Sequence, residues 1–189
     1  MNTQLPTIGA TLALALAIIA GNARAADPLP PERDACAVGT WVQSGGGAGE
    51  WMQQRMPQHQ VQVAFQQPRG VMVLQPDGHY SAHVTGLGVD AIHQDPAGFR
   101  QSLRAEVAAS GRWSTRDRQL LLQPETATFT SSDDALNQAA ERLRVRHSQV
   151  NRQGRVFYGC RGDHLTTQTE VRPGESFPTH FVRVHGDGG

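Results

Sequence analysis

The chain has 189 residues with 17 basic and 17 acidic side chains, so its formal net charge is zero. The basic residues other than histidine are all arginines, and acidic residues are interspersed among them. A nucleic-acid-binding surface requires a basic block or stripe. We therefore expect no nucleic-acid partner and an ordinary solvated surface on one domain with a sizeable core.

Residues 1–25 are predicted to be a secretory signal peptide. Ile8–Ala20 is an apolar run shorter than the roughly 20 residues that span a bilayer. It leads into Ala23-Arg24-Ala25, an A-x-A cleavage site, although no Lys or Arg precedes the run. An uncleaved anchor is the alternative. Cleavage near Ala25 predicts a soluble periplasmic or secreted protein with no stable membrane insertion.

An N-terminal extension over 26–35 precedes the first of two cysteines, Cys36 and Cys160. In an oxidising compartment an isolated pair is expected to form a disulfide. A redox or catalytic thiol is the alternative, but the chain has no C-x-x-C motif. We predict a structural disulfide.

The segments that follow Cys36 predict one strand and one break, and then leave the structure of a Gln-rich stretch open. Gly39–Val42 is typical of an opening strand, and Ser44–Gly49 (SGGGAG) predicts a flexible break. The Gln-rich stretch 51–67 has no decisive periodicity, although the alternating apolar residues of Val61–Phe65 allow a strand.

Gly70–Val84 predicts a β-hairpin. Pro76-Asp77-Gly78 favours a type I turn followed by a glycine bulge, which pairs Gln75 with His79. This register places five residues on one apolar face: Met72, Leu74, Tyr80, Ala82 and Val84. The opposite face is mixed and carries Val71, Val73, Ser81, His83 and Thr85.

His79 and His83 stand four apart, a spacing that would place two metal ligands together on a helix. On a strand, residues four apart lie about 13 Å from each other. Two imidazoles that share one zinc ion each need an approach of about 2.0–2.1 Å. The eight histidines show no other ligand cluster, so we expect neither a metal nor another cofactor.

Pro96–Ser110 is predicted to be a helix. Asp95 can cap it, Pro96 suits its first position, and Phe99, Leu103 and Val107 recur at intervals of four.

The remaining segments add a second helix and several strands. Ser132 or Asp133 can cap a helix that runs to Leu143. Gly111–Leu122 and Arg155–Glu170 predict hairpins, and Thr179–Val184 predicts a closing strand. Residues 186–189 are expected to be a disordered tail. Short strands with regularly spaced turns indicate an all-β sandwich or barrel.

The order of these motifs resembles a known family. Cys36-Ala-Val-Gly-Thr-Trp41 resembles the G-x-W opening strand of the calycins. The whole order is similar to the bacterial lipocalin-like domain family, with its G-x-x-V-x-x-P-D-G-x-x-S-A hairpin, helix, G-R-[WY] strand, G-D-x-L-T hairpin and closing R-V. The matching segments are Val38–Trp41, Gly70–Ala82, Pro96–Ser110, Gly111–Trp113, Gly162–Thr166 and Arg183-Val184.

The resemblance implies a closed or nearly closed antiparallel up-and-down barrel over residues 36–185, with one or two short helices. It also implies a structural role for Arg183, which would cover Trp41 as a late basic residue does in lipocalins. Gly78 would be structural because it forms the hairpin bulge. The second and third motifs of true lipocalins are absent, so transport of an odorant-type ligand is not implied.

Such a barrel suggests an exported module that binds a small apolar or amphipathic molecule. The residues expected to line the pocket are Met72, Leu74, Tyr80, Ala82, Val84 and Trp113. The alternative is that the same residues form a filled core. The protein would then work through an unidentified protein partner in the envelope, using an exposed edge or the Gln-rich stretch.

An enzyme such as an isomerase or cyclase is the third and least favoured hypothesis. Tyr80, His83 and Arg112 are ionisable candidates, but nothing in the sequence links them. The chain has no nucleophile elbow, paired-carboxylate signature or phosphate loop. We therefore predict no catalytic residues.

Overall fold

Strands dominate this protein, as the alternating sequence predicts. The computed structural model describes residues 32–55, 61–66, 69–93, 100–134, 137–138, 141 and 155–185. These residues form nine strands and one fully described helix, and Asp134, Asn137, Gln138 and Glu141 are helical as well. In chain order the elements are β1 (Gly39–Gly46), α1 (Ala48–Arg55), β2 (Val61–Gln66), β3 (Arg69–Leu74), β4 (His79–His93), β5 (Arg100–Arg116), β6 (Gln119–Ser131), β7 (Val156–Arg161), β8 (His164–Arg172) and β9 (Glu175–Val184).

The strands close into an antiparallel barrel. β4 pairs along one edge with β5 and along its other edge with β3 and then β2, so β2 and β3 share one position. The order around the barrel is therefore β4, β3, β1, β9, β8, β7, β6 and β5. From β3 to β9 each strand pairs with the next strand along the chain, β1 pairs with β3, and pairing of β1 with β9 closes the barrel. The predicted closed up-and-down barrel is confirmed, with eight strand positions.

The β3–β4 hairpin has the predicted register. Leu74 pairs with Tyr80 and Met72 pairs with Ala82. The N–H of Gln75 donates to the carbonyl of His79 at 2.9 Å, which closes the turn. Gly78 has a φ of 88°, a conformation that glycine adopts without steric cost. Turn chemistry alone was therefore enough to define this element.

The helix predicted over Pro96–Ser110 is wrong. From Arg100 onward the structure has strand β5, which pairs with β4 along one edge and with β6 along the other, while Pro96–Phe99 lie outside the described residues. A spacing of four residues is also twice the strand period, so the apolar pattern fits both structures. Ala105, Val107 and Ala109 are buried and alternate with residues that are more exposed. Pairing along both edges overrode the helix propensity of this alanine-rich segment.

The glycine-rich break predicted over Ser44–Gly49 is narrower than expected and lies at Gly47, between β1 and α1. β1 continues to Gly46 with an irregularity between Gln43 and Gly45, and α1 begins at Ala48. The possible strand in the Gln-rich stretch is present as β2.

Several predictions fall outside the described residues. These are the signal peptide, the tail over 186–189 and most of the second helix, from Ser132 or Asp133 to Leu143. In the part of the chain that the structure describes, no helix has the length and hydropathy that crossing a membrane requires.

The predicted disulfide between Cys36 and Cys160 is confirmed, with Cα atoms 6.0 Å apart. It attaches the N-terminal segment, defined here as Glu32–Val38, to strand β7. The same segment is hydrogen-bonded to β5, because the carbonyl of Glu32 accepts the N–H of Thr115 at 2.9 Å. A covalent bond and backbone pairing therefore both hold this segment on the barrel.

Candidate functional site

One end of the barrel is closed by large side chains and the N-terminal segment. Trp41 and Trp113 have no exposed surface, and Leu74 and Leu165 are 1% exposed. Ala37 of the N-terminal segment is also fully buried and belongs to the same cluster. We call this end the closed end.

Both closed-end tryptophans have satisfied indole donors. The indole N–H of Trp41 donates to the carbonyl of Ala37 at 2.7 Å, and that of Trp113 donates to the carbonyl of Gln75 at 2.9 Å. A buried tryptophan usually needs such a partner. These bonds fix both rings against the backbone, so Trp41 and Trp113 act as structural residues.

The structure brings the expected pocket residues together on the inner face. Met72, Leu74, Tyr80 and Trp113 belong to one buried cluster, and Ala82 packs against it. Val84 follows on the same face of β4 and is half-buried.

Small side chains form one inner wall beyond the closed end. Ala82 of β4 pairs with Ala109 of β5, and Ala109 pairs with Ala127 of β6. Ala105 and Val107 of β5 are also buried on this wall, which we call the alanine wall. Small residues at inward positions take up less of the interior than the tryptophans and leucines of the closed end do.

Hydroxyl groups occupy the opposite inner wall, on β8 and β9. Thr167 pairs with Thr179, and all three of Thr167, Thr169 and Thr179 are buried. We call these residues the threonine wall. Sequence analysis missed it, although Leu165, Thr167 and Thr169 alternate with a period of two. The interior is therefore apolar on one side and hydroxyl-bearing on the other.

The helix α1 lies at the second end of the barrel. The chain turns at Gly46 and Gly47, and the N–H of Gly47 donates to the carbonyl of Pro178 at 2.7 Å. This bond brings α1 to the rim, where the Trp51 ring packs on Phe177 with centroids 6.1 Å apart. We call this end the α1 end.

An ion-paired group holds α1 in place. The guanidinium of Arg55 lies over the Trp51 ring at 4.5 Å and donates to Glu175 at 2.9 Å. Glu175 also accepts a hydrogen bond from Arg172, and this bond is the main reason that the pKa of its carboxyl lies below the ordinary value. The helix is thereby joined to the β8–β9 rim.

The inner phenol of Tyr80 is held in its neutral form. Burial raises the pKa of this group, and the negative charge of Glu125 adds to the effect. Tyr80 can therefore donate or accept a hydrogen bond inside the barrel, but it does not ionise near neutral pH.

The three ionisable candidates for catalysis are not brought together. Tyr80 faces the interior, whereas His83 is exposed and paired with Glu106 on the outer surface. Arg112 donates to Nε2 of His79 at 2.8 Å, also on the outside. The barrel wall separates Tyr80 from the other two groups, so they cannot act on one small substrate.

The sequence predicts that His79 and His83 of the β3–β4 hairpin do not bind one metal ion together. His79 is bonded through Nδ1 to Asp77 at 2.9 Å, and its backbone N–H is the main cause of the lowered pKa of Asp77. Within the described ranges, no three His, Cys, Asp or Glu side chains are grouped so that they could hold a metal ion.

Comparison with known protein families and with curated proteins finds no match to this chain. The closed eight-stranded barrel, with Arg183 lying over Trp41 at 4.2 Å, is compatible with a calycin-like fold.

Proposed function

We propose that this protein is an exported member of the bacterial lipocalin-like family that binds a small amphipathic molecule inside the barrel. The observation that carries the proposal is the difference between the two inner walls. The alanine wall offers apolar surface, while the threonine wall offers hydroxyl groups that can donate or accept hydrogen bonds. A molecule with an apolar body and a polar group is complementary to both.

The disulfide supports export. A bond between Cys36 and Cys160 persists in an oxidising compartment and is rare in the cytosol. The A-x-A site that ends at Ala25 provides the corresponding cleavage signal. We therefore place the mature protein in the periplasm or outside the cell.

Native mass spectrometry tests the proposal directly. Mature protein purified gently from its own periplasm is expected to carry a reproducible extra mass that disappears on denaturation. Extraction and identification of that mass would establish the ligand class. A clean unliganded mass, together with no uptake of added amphiphiles, would contradict the proposal.

Two matched substitutions in β5 localise the binding. Ala109→Met fills interior volume at the alanine wall and is expected to remove the extra mass. Ala108→Met places the same side chain at the neighbouring, less buried position and is expected to leave it unchanged. If Ala109→Met does not fold, Thr167→Val provides a nearly isosteric change that removes one inner hydroxyl.

We propose protein contact as a second candidate function because of an apolar patch on the outer surface. Val71, Val42 and Val182 are cross-strand neighbours on β3, β1 and β9, and Val184 lies nearby. Val71, Val182 and Val184 are 37%, 36% and 46% exposed. A contiguous exposed apolar patch is typical of an interaction surface.

Cross-linking in the envelope tests this second candidate. Val182→Lys is expected to abolish capture of an envelope partner while leaving the barrel folded. Thr128→Lys, at an exposed position on β6, is the control and should retain capture. Equal capture by both variants would contradict a role for the valine patch.

A further inference from the structure

The α1 end contains a buried donor that the described part of the chain does not satisfy. The indole nitrogen of Trp51 is buried and has no hydrogen-bond partner among the residues that the structure describes. Trp41 and Trp113, in contrast, both donate to backbone carbonyls. An unpartnered buried donor is unfavourable in the folded chain. It marks a position where an acceptor from outside the chain would be stabilised.

The Trp51 ring borders the interior of the barrel at the α1 end. Its ring packs on Phe177, which is buried together with Thr179, whereas Pro178 and His180 between and beyond them are exposed. In a strand, alternate residues point to opposite faces. Phe177 therefore faces inward, and a ring that contacts it at the rim borders the interior.

Polar groups of the threonine wall lie beside the same contact. Thr169 is the cross-strand partner of Phe177, and Thr179 is two positions farther along β9. Thr179 is also close to Gly47, at the turn that leads into α1. The α1 end therefore combines an unsatisfied indole donor with buried hydroxyl groups.

The charges at this rim already have partners. Arg55 and Arg172 both donate to Glu175, and Glu50 accepts the N–H of Gly46 at 3.2 Å. Each of these charged groups therefore has its charge balanced or hydrogen-bonded within the protein and needs no ligand. The group that needs one is the Trp51 indole, which can only donate.

We propose that Trp51 is a ligand-contacting residue that donates its indole N–H to a carbonyl or carboxylate oxygen of the molecule bound in the barrel. This inference rests on the proposed function, and it assigns the polar head of the ligand to the α1 end and its apolar body to the alanine wall. A head group that only donates hydrogen bonds, such as an alkylammonium, does not satisfy the indole.

Three probes with the same alkyl chain test this assignment: decanoate, methyl decanoate and decylammonium. Each is titrated into the mature full-length protein labelled with ¹⁵N at the tryptophan indoles. The Trp51 indole proton is expected to move downfield with decanoate and with methyl decanoate, but not with decylammonium. The signals of Trp41 and Trp113 are internal references, because their donors are already bonded.

Trp51→Phe provides the matched variant, since it keeps an aromatic ring beside Phe177 and removes the indole donor together with one ring, a loss of packing that the decylammonium probe measures by itself. By calorimetry, we expect affinity for methyl decanoate to fall about fivefold and affinity for decanoate about tenfold, as expected for loss of a neutral and of a charge-assisted hydrogen bond. Decylammonium binding should not change.

The outcomes separate the two proposals. If the wild-type protein binds none of the three probes, both the inference and barrel binding are contradicted. If it binds them but the Trp51 signal does not move, or Trp51→Phe binds the two acceptor probes as tightly as wild type, the inference is wrong and barrel binding stands. The wild-type spectra decide the question even if Trp51→Phe fails to fold.

Discussion

Arg183 and Trp41 are cross-strand partners at the junction of β9 and β1, and the guanidinium carbon lies 4.2 Å from the centre of the indole ring. Arg183 also donates to the backbone carbonyls of Cys36, at 2.8 Å, and Val38. One side chain thus joins the first strand, the last strand and the N-terminal segment at the point where the barrel closes.

Replacing this arginine should destabilise the whole barrel. Arg183→Met loses a partly desolvated cation–π contact and leaves two carbonyls without their donor, which we expect to lower the free energy of unfolding by about 3 kcal/mol. Urea denaturation measures the change. Arg161→Met, at an exposed position, is the control and should cost less than about 0.5 kcal/mol. Equal effects of the two substitutions would show that the stacked geometry contributes nothing.

The disulfide should be formed in the exported protein and should contribute strongly to stability. It joins residues 124 positions apart, and the chain-entropy estimate for such a loop is about 5 kcal/mol. We expect a Cys36→Ser, Cys160→Ser double variant to melt at a much lower temperature, as reduced wild type should. Thiol labelling of both cysteines in unreduced periplasmic protein would contradict a structural disulfide.

Gly111 should not tolerate a side chain, for a reason of packing. A Cβ at this position would lie 2.7 Å from the backbone nitrogen of Glu125 and 2.8 Å from Cα of Pro124, both in β6. Because the backbone cannot yield easily, we expect Gly111→Ala to cost about 3 kcal/mol of unfolding free energy. Gly159→Ala, where a Cβ meets nothing within 4 Å, should be neutral or slightly stabilising. Similar denaturation curves for the two variants would refute the close approach of β5 and β6.

Gly78→Val should weaken the β3–β4 hairpin. Gly78 has a φ of 88°, which is unfavourable for a β-branched residue, and a Cβ there would meet the guanidinium of Arg33. We expect a loss of about 3 kcal/mol in unfolding free energy. Gly162→Val, at a φ of 57° but with open space around it, should lose about 1 kcal/mol less. An unchanged melting temperature for Gly78→Val would contradict the claim that the hairpin bulge requires glycine at this position.

Acid should release α1 from the rim. The pKa of Glu175 is lowered, first by the hydrogen bond from Arg172 and then by that from Arg55. A lowered pKa in the folded state means that this contribution to stability is present above the ordinary glutamate value, about 4.3, and is lost as the pH falls through the folded-state pKa. Carboxyl NMR should show Glu175 titrating below the ordinary value, with the Trp51 indole signal changing in parallel.

Glu175→Gln is the control for this titration, because it should abolish the acid-dependent change at Trp51. Glu175 titrating at or above the ordinary value would contradict the paired geometry.

The β3–β4 hairpin and the wrongly predicted helix show which elements can be predicted from neighbouring residues alone. Pro76, Asp77 and Gly78 define a turn by their own backbone preferences, so the pairing of Leu74 with Tyr80 follows without knowledge of the remaining chain. The segment that forms β5 lacks such a constraint, because its apolar spacing fits two periods. The segment is a strand because it pairs with β4 and with β6, and this pairing cannot be seen in the local sequence.

In the candidate site, too, some residues were predictable from the local sequence and others were not. The inward residues Met72, Leu74 and Tyr80 were predictable from alternation within one hairpin. The contact between Trp51 and Phe177 was not, because it depends on where α1 and β9 lie in three dimensions.

The sequence by itself determined the β-hairpins with clear turn residues, the cysteine pair and the all-β class, because turn preference and strand alternation act over a few neighbouring residues. The tertiary structure alone decided that β5 is a strand and that the alanine and threonine walls face each other. It also decided that the Trp51 indole nitrogen is buried with no partner in the described ranges. These features depend on backbone pairing and burial between segments far apart in the chain, and short-range patterns carry no information about which segments meet.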